Sequence, residues 1–265
     1  MVRCRDKGDN SGVVCYYKNM KYEIVADFDG TLIEKGQGKT NSFMAFFDTL
    51  SIPGKVFSEH IYAEYAHKEF DETIPLDVRN QLMYEWWAKE FEGYILHKST
   101  KQDLLSTAQR PDLKFRDGVS DLFDFARESS IPILIFTAGL ADIIEMKLEK
   151  ENLLSDNVRI VGNRFVFDDD GLIIDYVRPI VYVGNKHLVA QTWDAKVHAD
   201  TAFLLGDHPT DVQMCEDANH GKVIRFGFLN GKSNDNGAYD AYDYLYESGD
   251  ASMMPLLDKI KEIVL

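Results

Sequence analysis

Long hydrophobic runs are missing from this 265-residue sequence. No apolar stretch approaches the roughly 20 residues that a membrane-spanning helix needs, and residues 1–12 are charged and polar, unlike a secretory leader. Cysteine is also scarce. Cys4, Cys15 and Cys215 are odd in number and far apart, so they fit neither a zinc-binding pattern nor a disulfide framework. We therefore expect free thiols in a reducing, cytoplasmic environment.

Basic charge is in short supply as well. The 29 lysines and arginines are outnumbered by 44 aspartates and glutamates, which gives a net charge of −15. Such a field repels nucleic acids and anionic membranes, so we expect neither as a partner. An anionic small-molecule substrate remains compatible with the charge, because a local lysine or metal ion can invert the potential within one cleft. We expect a monomer that acts on such a molecule.

Short apolar runs alternate with helical periods over most of the chain. Strands are predicted at 22–26 (YEIVA), 131–136 (IPILIF), 158–161, 165–167, 172–176, 202–205 (AFLL) and 223–226, and helices at 119–127, 142–151, 254–263 and from 209 to 217. This alternation predicts an α/β fold whose mostly parallel sheet is covered on both faces.

Strand signals vanish between about residues 40 and 108. Apolar residues recur there at helical spacing, and Pro53-Gly54 and Pro75 interrupt the pattern. We predict an all-helical insert of three or four helices over 40–108, and an α/β core formed by 1–39 and 109–265.

Two acids follow the first predicted strand. Asp27 and Asp29 flank one residue where the chain leaves the sheet, and strand alternation points their side chains the same way. Two carboxylates this close suit a hard divalent cation, while Gly30 permits a sharp turn. A lone Asp-x-Asp-Gly is more typical of a solvated turn. Its place after a buried strand, with matching acids elsewhere, favours a functional site.

Polar groups also follow two later strands. Thr137 and Ala138 come directly after IPILIF, where a hydroxyl and backbone N–H groups can hold a phosphate, although helix capping by Thr137 is the simpler explanation in isolation. Asp207 and Asp211 follow AFLL, where N-capping is again the alternative. Because ligand sites of open α/β sheets lie at the carboxyl ends of the strands, we expect these groups to converge with Asp27.

The ordered motifs resemble those of a known superfamily. The set Asp27-Phe-Asp29-Gly-Thr31, Phe136-Thr137-Ala138-Gly139, Asn185-Lys186-His187 and Gly206-Asp207-x-x-x-Asp211 resembles the four motifs of the haloacid dehalogenase superfamily. From about residue 21 onward the sequence is similar to the cytosolic pyrimidine 5′-nucleotidases (the cytosolic 5′-nucleotidase III family). The resemblance implies a Rossmann-like core with a helical cap, and a Mg²⁺-dependent phosphomonoesterase for nucleoside 5′-monophosphates, pyrimidines preferred.

The resemblance also implies roles for these residues. Asp27 is expected to be the nucleophile that forms an aspartyl-phosphate, and Asp29 the general acid and base. Mg²⁺ is expected to be held by Asp27, the backbone carbonyl of Asp29 and Asp207, with Asp211 orienting that sphere or Lys186. The remaining expected phosphate ligands are Thr137, the N–H of Ala138, and Lys186.

Base recognition is implied less directly. Met83-Tyr84-Glu85-Trp86 matches a cap motif of the family, and the acid that contacts the base maps onto Glu64, with Glu69 competing and a solvated helix face as the alternative. Gly30 stands where the family usually has methionine, which leaves the chemistry intact. Glu90 replaces a small hydroxyl residue, and this departure makes another small phosphomonoester, such as phosphoserine or a sugar phosphate, the alternative substrate. A non-catalytic binder of phosphorylated ligands is the third hypothesis.

Overall fold

The structure is a computed structural model. It describes residues 2–6, 13–17, 20–35, 41–69, 71, 73–186, 189, 199–215 and 220–265, and for 2–6 and 13–17 it describes the backbone. His187 of the third motif therefore lies outside the described residues, as do residues 216 and 217 of the helix predicted from 209.

Six described strands form one parallel sheet, in the order β10-β9-β8-β3-β4-β5. These strands are β3 (Met20–Ala26), β4 (Ile133–Leu140), β5 (Val158–Asn163), β8 (Ala199–Gly206), β9 (Lys222–Phe228) and β10 (Tyr244–Tyr246). Apart from the edge strand β10, their apolar runs are largely buried, as the sequence predicts for a covered parallel sheet. The predicted α/β class is confirmed.

Helices cover this sheet through apolar stripes at helical spacing. On α5 (Val119–Glu128) the buried residues are Val119, Leu122, Phe123 and Ala126. Helix α5 packs against α7 (Met254–Val264), while α6 (Ala141–Lys150) packs against β5. Two small antiparallel pairs complete the described strands: β1 (Val2–Asp6) with β2 (Val13–Tyr17), and β6 (Phe165–Phe167) with β7 (Ile173–Tyr176).

Four helices fill the described part of residues 41–108. They are α1 (Ser42–Phe47), α2 (Ile52–Tyr65), α3 (Leu76–Leu96) and α4 (Lys101–Ala108). The starts of α1 and α2 are capped by side chains that accept backbone N–H groups: Asn41 from Met44, and Ser51 from Gly54. Thr100 and Asp103 form a capping box at α4. The helical character of this segment was predicted, while its boundaries as a domain stay a prediction.

The helical segment contacts the α/β part at several places. Helix α4 packs against α6, and Phe46, Phe91 and Leu104 join the main apolar core. A separate cluster from α2 and α3, which includes Trp86, packs around Tyr182 of the α/β part. The loop that leads to Lys186 is therefore in contact with the helical segment.

Several local features differ from the sequence prediction. Strand β4 does not end with its apolar run at residue 136; it continues to Leu140, because Leu140 still pairs with Asn163 of β5. The segment Pro209–Cys215 is a 3-10 helix. Strand β10 was not predicted, and it is held at the sheet edge partly by stacking of Tyr244 on Phe226. In the described residues, every helix is too short or too polar to cross a bilayer.

Glu90 occupies an unusual environment for a carboxylate. It lies on α3 and is fully buried. The Ser58 hydroxyl on α2 donates a hydrogen bond to its Oε2 over 2.8 Å, whereas its Oε1 has no hydrogen-bond partner among the described residues. Burial raises the pKa of Glu90 to about 7, against the opposing effect of the Ser58 hydrogen bond.

Glu90 should make stability depend on pH. The unfolded side chain ionises near 4.5, whereas the folded one keeps its proton up to a pKa of about 7. Stabilisation is therefore complete below pH 4.5 and is lost as the pH rises through 7. Relative to Glu90→Gln, the free energy of unfolding of the wild type should fall over this window by roughly 3 kcal/mol at most.

Urea unfolding of both proteins between pH 4.5 and 8 measures this difference. Glu59→Gln, at an exposed glutamate next to Ser58, is the control for loss of one negative charge. A difference between wild type and Glu90→Gln that stays constant with pH would contradict the prediction.

Candidate active site

The carboxyl ends of three adjacent strands carry the polar residues singled out in the sequence. Ala26 of β3 lies opposite Leu205 of β8 and Ile135 of β4. Asp27 and Asp207 therefore leave the sheet side by side, while Thr137 lies farther along β4. All three side chains are buried, with at most 6% of the residue surface exposed. The structure brings these residues together as expected.

A buried lysine lies between two carboxylates. Lys186 Nζ is 2.6 Å from Asp27 Oδ1 and 2.8 Å from Asp211 Oδ1. Burial alone would lower the pKa of Lys186, but the charges of Asp211 and Asp27 raise it above its ordinary value. Burial raises the pKa of Asp27, although the charge of Lys186 opposes this. The lysine thus stays protonated and holds Asp27 against its strand end.

Asp211 is fixed at both oxygens. Its Oδ1 accepts from Lys186, and its Oδ2 accepts the backbone N–H groups of Asp207 and His208 at 3.1 and 3.0 Å. It therefore fixes the backbone that leaves β8 and, at the same time, orients Lys186.

Asp207 lies beside Asp27 and meets a different set of donors. Its Oδ2 accepts from Lys35 Nζ at 2.9 Å and from Asn230 Nδ2 at 3.1 Å. Oxygens of Asp27, Asp207 and Asp211 all lie within 4.8 Å of one another. Closely spaced hard oxygen donors in a buried site fit a divalent cation such as Mg²⁺. The donor set of this chain therefore suits the expected metal.

Asp29 is held by the first helix of the helical segment. The backbone N–H of Ser42 donates to its Oδ1 over 2.7 Å, and the Ser42 hydroxyl donates to its Oδ2. Burial raises the pKa of Asp29, and the two hydrogen bonds from Ser42 lower it. A carboxyl with a raised pKa can hold a proton nearer to neutral pH, as a general acid requires.

Thr137 and Gly139 shape the space next to Asp29. The backbone N–H of Gly139 donates to Thr137 Oγ1 over 2.9 Å, which leaves the hydroxyl proton of Thr137 able to donate elsewhere. A β-carbon at position 139 would lie 2.9 Å from Asp29 Oδ2 and 2.7 Å from Ser42 Oγ. Glycine is required there because the functional side chains approach the backbone so closely.

Two asparagines hold the loop that presents Lys186. Asn185 accepts from the N–H of Tyr182 and donates to the carbonyl of Ile180, each over 2.8 Å. Asn163 donates to the carbonyls of Ala138 and Val181. The segment of β4 that carries the expected phosphate ligands and the loop that carries Lys186 are thereby joined through one side chain.

The two candidate base-contacting acids lie in different surroundings. Glu64 is half-exposed and pairs with Lys89, also half-exposed, over 3.5 Å. Such a pair is typical of a solvated helix face. Glu69 is less exposed, and burial raises its pKa. Of the two, Glu69 is the better placed for a role inside the molecule, while the assignment itself stays a prediction.

Sequence reasoning missed several residues of this site. Ser42, Lys35, Asn230 and Arg116 stand outside the motifs, and each contacts a motif residue only because distant segments fold together. A serine near a helix start is commonly a helix cap, so the position of Ser42 gave no indication that it holds Asp29. Lys35, eight residues after Asp27, is a single lysine of the kind usually found on the surface.

Comparison with known proteins identifies relatives of the chain. A family model described as pyrimidine 5′-nucleotidase (UMPH-1) matches residues 28–264. The chain is 30% identical over 240 residues to a 7-methylguanosine phosphate-specific 5′-nucleotidase of Gallus gallus, covering 86% of this chain and 83% of the relative. It is 27% identical to the protein of that name in Drosophila melanogaster, covering 79% and 69%.

Solved structures share the fold. Cytosolic 5′-nucleotidase IIIB bound to cytidine superposes with a TM-score of 0.75 at 24% identity, covering 92% of this chain and 88% of that one. A phospho-aspartyl intermediate analogue of phosphoserine phosphatase superposes with a TM-score of 0.57 at 13% identity, covering 91% and 99%. The haloacid dehalogenase type of fold expected from the motifs is confirmed.

Removing the Ser42 hydroxyl should raise the pKa of Asp29 further, because one of the hydrogen bonds that favour its charged form is lost. Ser42→Ala should also lower the free energy of unfolding near neutral pH by about 1–3 kcal/mol, as for a lost hydrogen bond to a charged group. Carboxyl-carbon NMR titration measures the first effect and urea unfolding the second.

Ser106→Ala is the matched control, since that exposed hydroxyl donates only to a carbonyl within its own helix. An unchanged titration of Asp29 in Ser42→Ala would show that the hydrogen bond does not control this carboxyl.

Proposed function

Because this chain belongs to the pyrimidine 5′-nucleotidase family, we propose that it is a Mg²⁺-dependent phosphomonoesterase that acts on nucleoside 5′-monophosphates through an aspartyl-phosphate on Asp27. One observation carries the proposal. Asp27 lies buried at the end of the central strand β3, 2.6 Å from Lys186 and in one carboxylate cluster with Asp207 and Asp211. Such a cluster supplies both a nucleophile and the charges that hold an anionic substrate beside it.

Asp27 carries out the first displacement. One of its oxygens attacks the phosphorus in line, so a bond forms between Asp27 and phosphorus while the bond to the nucleoside 5′ oxygen breaks. Lys186 and Asp27 approach within hydrogen-bonding distance, which keeps the nucleophile oriented and favours its charged form. A bound Mg²⁺ would lower the repulsion between the anionic nucleophile and the anionic phosphate.

Asp29 completes both half-reactions. It gives its proton to the leaving 5′ oxygen, and in the second step it takes a proton from the water that attacks phosphorus, which releases phosphate and frees Asp27. Ser42 supports this role by holding both carboxylate oxygens, so that the proton is presented in one direction. The raised pKa of Asp29 suits the acid step.

Three groups can hold the phosphoryl oxygens. Lys186 uses two of its three N–H donors for Asp27 and Asp211 among the described residues, and the third can face the phosphate. Thr137 can donate its hydroxyl proton, and the N–H of Ala138 follows it on β4. Phosphoryl transfer depends mainly on such positioning and electrostatics.

The helical segment is proposed as the cap that selects the base. A cavity of about 310 Å³ lies between α1 and α2, lined by the apolar rings of Phe43, Phe47 and Tyr62 and by Ser58. Phe43 follows Ser42 directly on α1, so one short helix carries both a lining residue of the cavity and the side chain that holds Asp29. Its size falls at the lower end of the range for small-molecule pockets.

The choice of base separates two candidate substrates. Pyrimidine nucleotides are the preference implied by the sequence resemblance. The relatives named as 7-methylguanosine phosphate-specific support a second candidate, a nucleotide with a methylated, positively charged purine. The aromatic lining, together with the exposed carboxylate of Glu59, favours a cationic ring, because aromatic faces and carboxylates both attract one.

A phosphate-release assay over a substrate panel tests the proposal. We expect CMP, UMP or 7-methyl-GMP to exceed phosphoserine and glucose 6-phosphate in kcat/KM by at least about tenfold. Release should stop with EDTA and return with Mg²⁺. Equal or better turnover of phosphoserine or the sugar phosphate would overturn the nucleotide assignment, and no release from any compound would favour a binder without turnover.

Asp27→Asn should lower kcat by at least about 10³-fold, because an amide oxygen is a poor nucleophile toward a phosphate. The variant should stay folded, since Lys186 retains its pair with Asp211. Circular dichroism and the phosphate-release assay measure the two properties. Asp200→Asn, at an exposed position at the opposite end of β8, is the control. Near-normal turnover by Asp27→Asn would refute the nucleophile assignment.

The cytoplasmic location implied by the sequence accords with the match to a cytosolic 5′-nucleotidase. It remains part of the proposal, together with the monomeric state.

A further inference from the structure

Arg116 is a fully buried arginine outside every motif. In the sequence it lies between α4 and α5, and only 2% of its surface is exposed. Its guanidinium group stacks over the ring of Phe228 at 4.3 Å. Burial lowers its pKa to about 10. Burying a charged guanidinium group costs free energy unless its N–H donors are hydrogen-bonded. The hydrogen-bond acceptors of Arg116 therefore indicate which parts of the structure it holds in place.

All five N–H donors of the guanidinium can be accounted for. Its acceptors are the carbonyl oxygens of Thr31 (2.7 Å), Gly30 (2.7 Å), Gly249 (3.0 Å) and Ala251 (3.2 Å), and Asn230 Oδ1 (2.5 Å). These acceptors come from three segments that are far apart in the chain. One of them is the turn after β3, in which Gly30 follows Asp29 directly.

Asn230 carries this contact to the carboxylate cluster. Because its Oδ1 accepts from Arg116, its amide nitrogen must face the other way, where it donates to Asp207 Oδ2 at 3.1 Å and to the carbonyl of Gly30 at 2.9 Å. Asn230 has a positive φ of 54°, a backbone conformation that asparagine tolerates better than most residues. The amide is thus fixed in one orientation, aimed at Asp207.

We propose that Arg116 is a positioning residue which, through Asn230, orients the Asp207 carboxylate for the divalent cation and, through the carbonyl of Gly30, fixes the turn that carries Asp29. The inference rests on the proposed function, since it assumes the cation. It assigns a role to two residues that do not touch the substrate.

A role in orienting Asp207 and a role in general stability lead to different experimental results. A side chain that only filled space or joined loops would affect unfolding but not the affinity for the cation. Residues that hydrogen-bond a metal ligand typically change metal affinity by 10- to 100-fold when they are removed. The expected signature is therefore weaker binding of Mg²⁺ by folded protein.

Calorimetric titration of the full chain with MgCl₂ tests the proposal. Asn230→Gly removes the amide while tolerating the positive φ, and we expect it to weaken Mg²⁺ binding by about 10-fold or more. Arg116→Lys keeps the positive charge but loses the planar guanidinium group with its five N–H donors, and it should weaken Mg²⁺ binding as well. The Mg²⁺ affinity of the double variant should be within about twofold of that of the weaker-binding single variant, because the two residues act through the same series of hydrogen bonds.

Asn152→Gly is the matched control. Asn152 also has a positive φ, 58°, but it is exposed at the end of α6. Its Mg²⁺ affinity should equal that of the wild type. Wild-type affinity in Asn230→Gly would overturn the inference, even if Arg116→Lys failed to fold. Absence of Mg²⁺ binding by the wild type would overturn the proposed metal site itself, which is a different result.

Discussion

The buried contact of Lys186 with Asp27 and Asp211 is the interaction on which the rest of the site depends. Two carboxylates and one ammonium group have been taken out of water, and each would be costly there alone. Their mutual distances of 2.6 and 2.8 Å make the arrangement stable only if all three are held in place. Backbone N–H groups hold Asp211, and the Asn185 turn holds the lysine loop. The surrounding backbone and the Asn185 turn therefore hold these three charged groups in place.

The same pattern explains how an acidic protein can accept an anionic substrate. The net charge of −15 is a property of the whole chain, whereas the field inside the cleft is set by the few charges nearest to it. Lys186 and Lys35 lie among the carboxylates of Asp27 and Asp207. A divalent cation would add the positive charge that a dianionic phosphate needs, so cation and substrate should favour each other's binding.

In the proposed function, the chemistry and the choice of substrate belong to different parts of the molecule. The carboxylates of Asp27 and Asp207 and the hydroxyl of Thr137 lie near the carboxyl ends of sheet strands. The apolar cavity lies between α1 and α2. Ser42 joins the two, because it begins α1 and holds Asp29 at the same time. Under the proposed function, a change in α1 should therefore alter both base recognition and the acid–base step.

The sequence by itself determined the parallel α/β fold, the helical segment and the motif residues. Buried strands have continuous apolar runs, and Asp27, Thr137 and Asp207 follow such runs directly, so local pattern was sufficient. It could not reveal Ser42, Lys35, Arg116 or Asn230 as partners of the site, because a hydrogen bond between residues 116 and 230 leaves no local trace. The sequence pattern also ended β4 too early, at residue 136, because pairing with β5 continues the strand to Leu140. Only the tertiary structure decided which distant donors meet each carboxylate, because those contacts exist only when all the segments pack together.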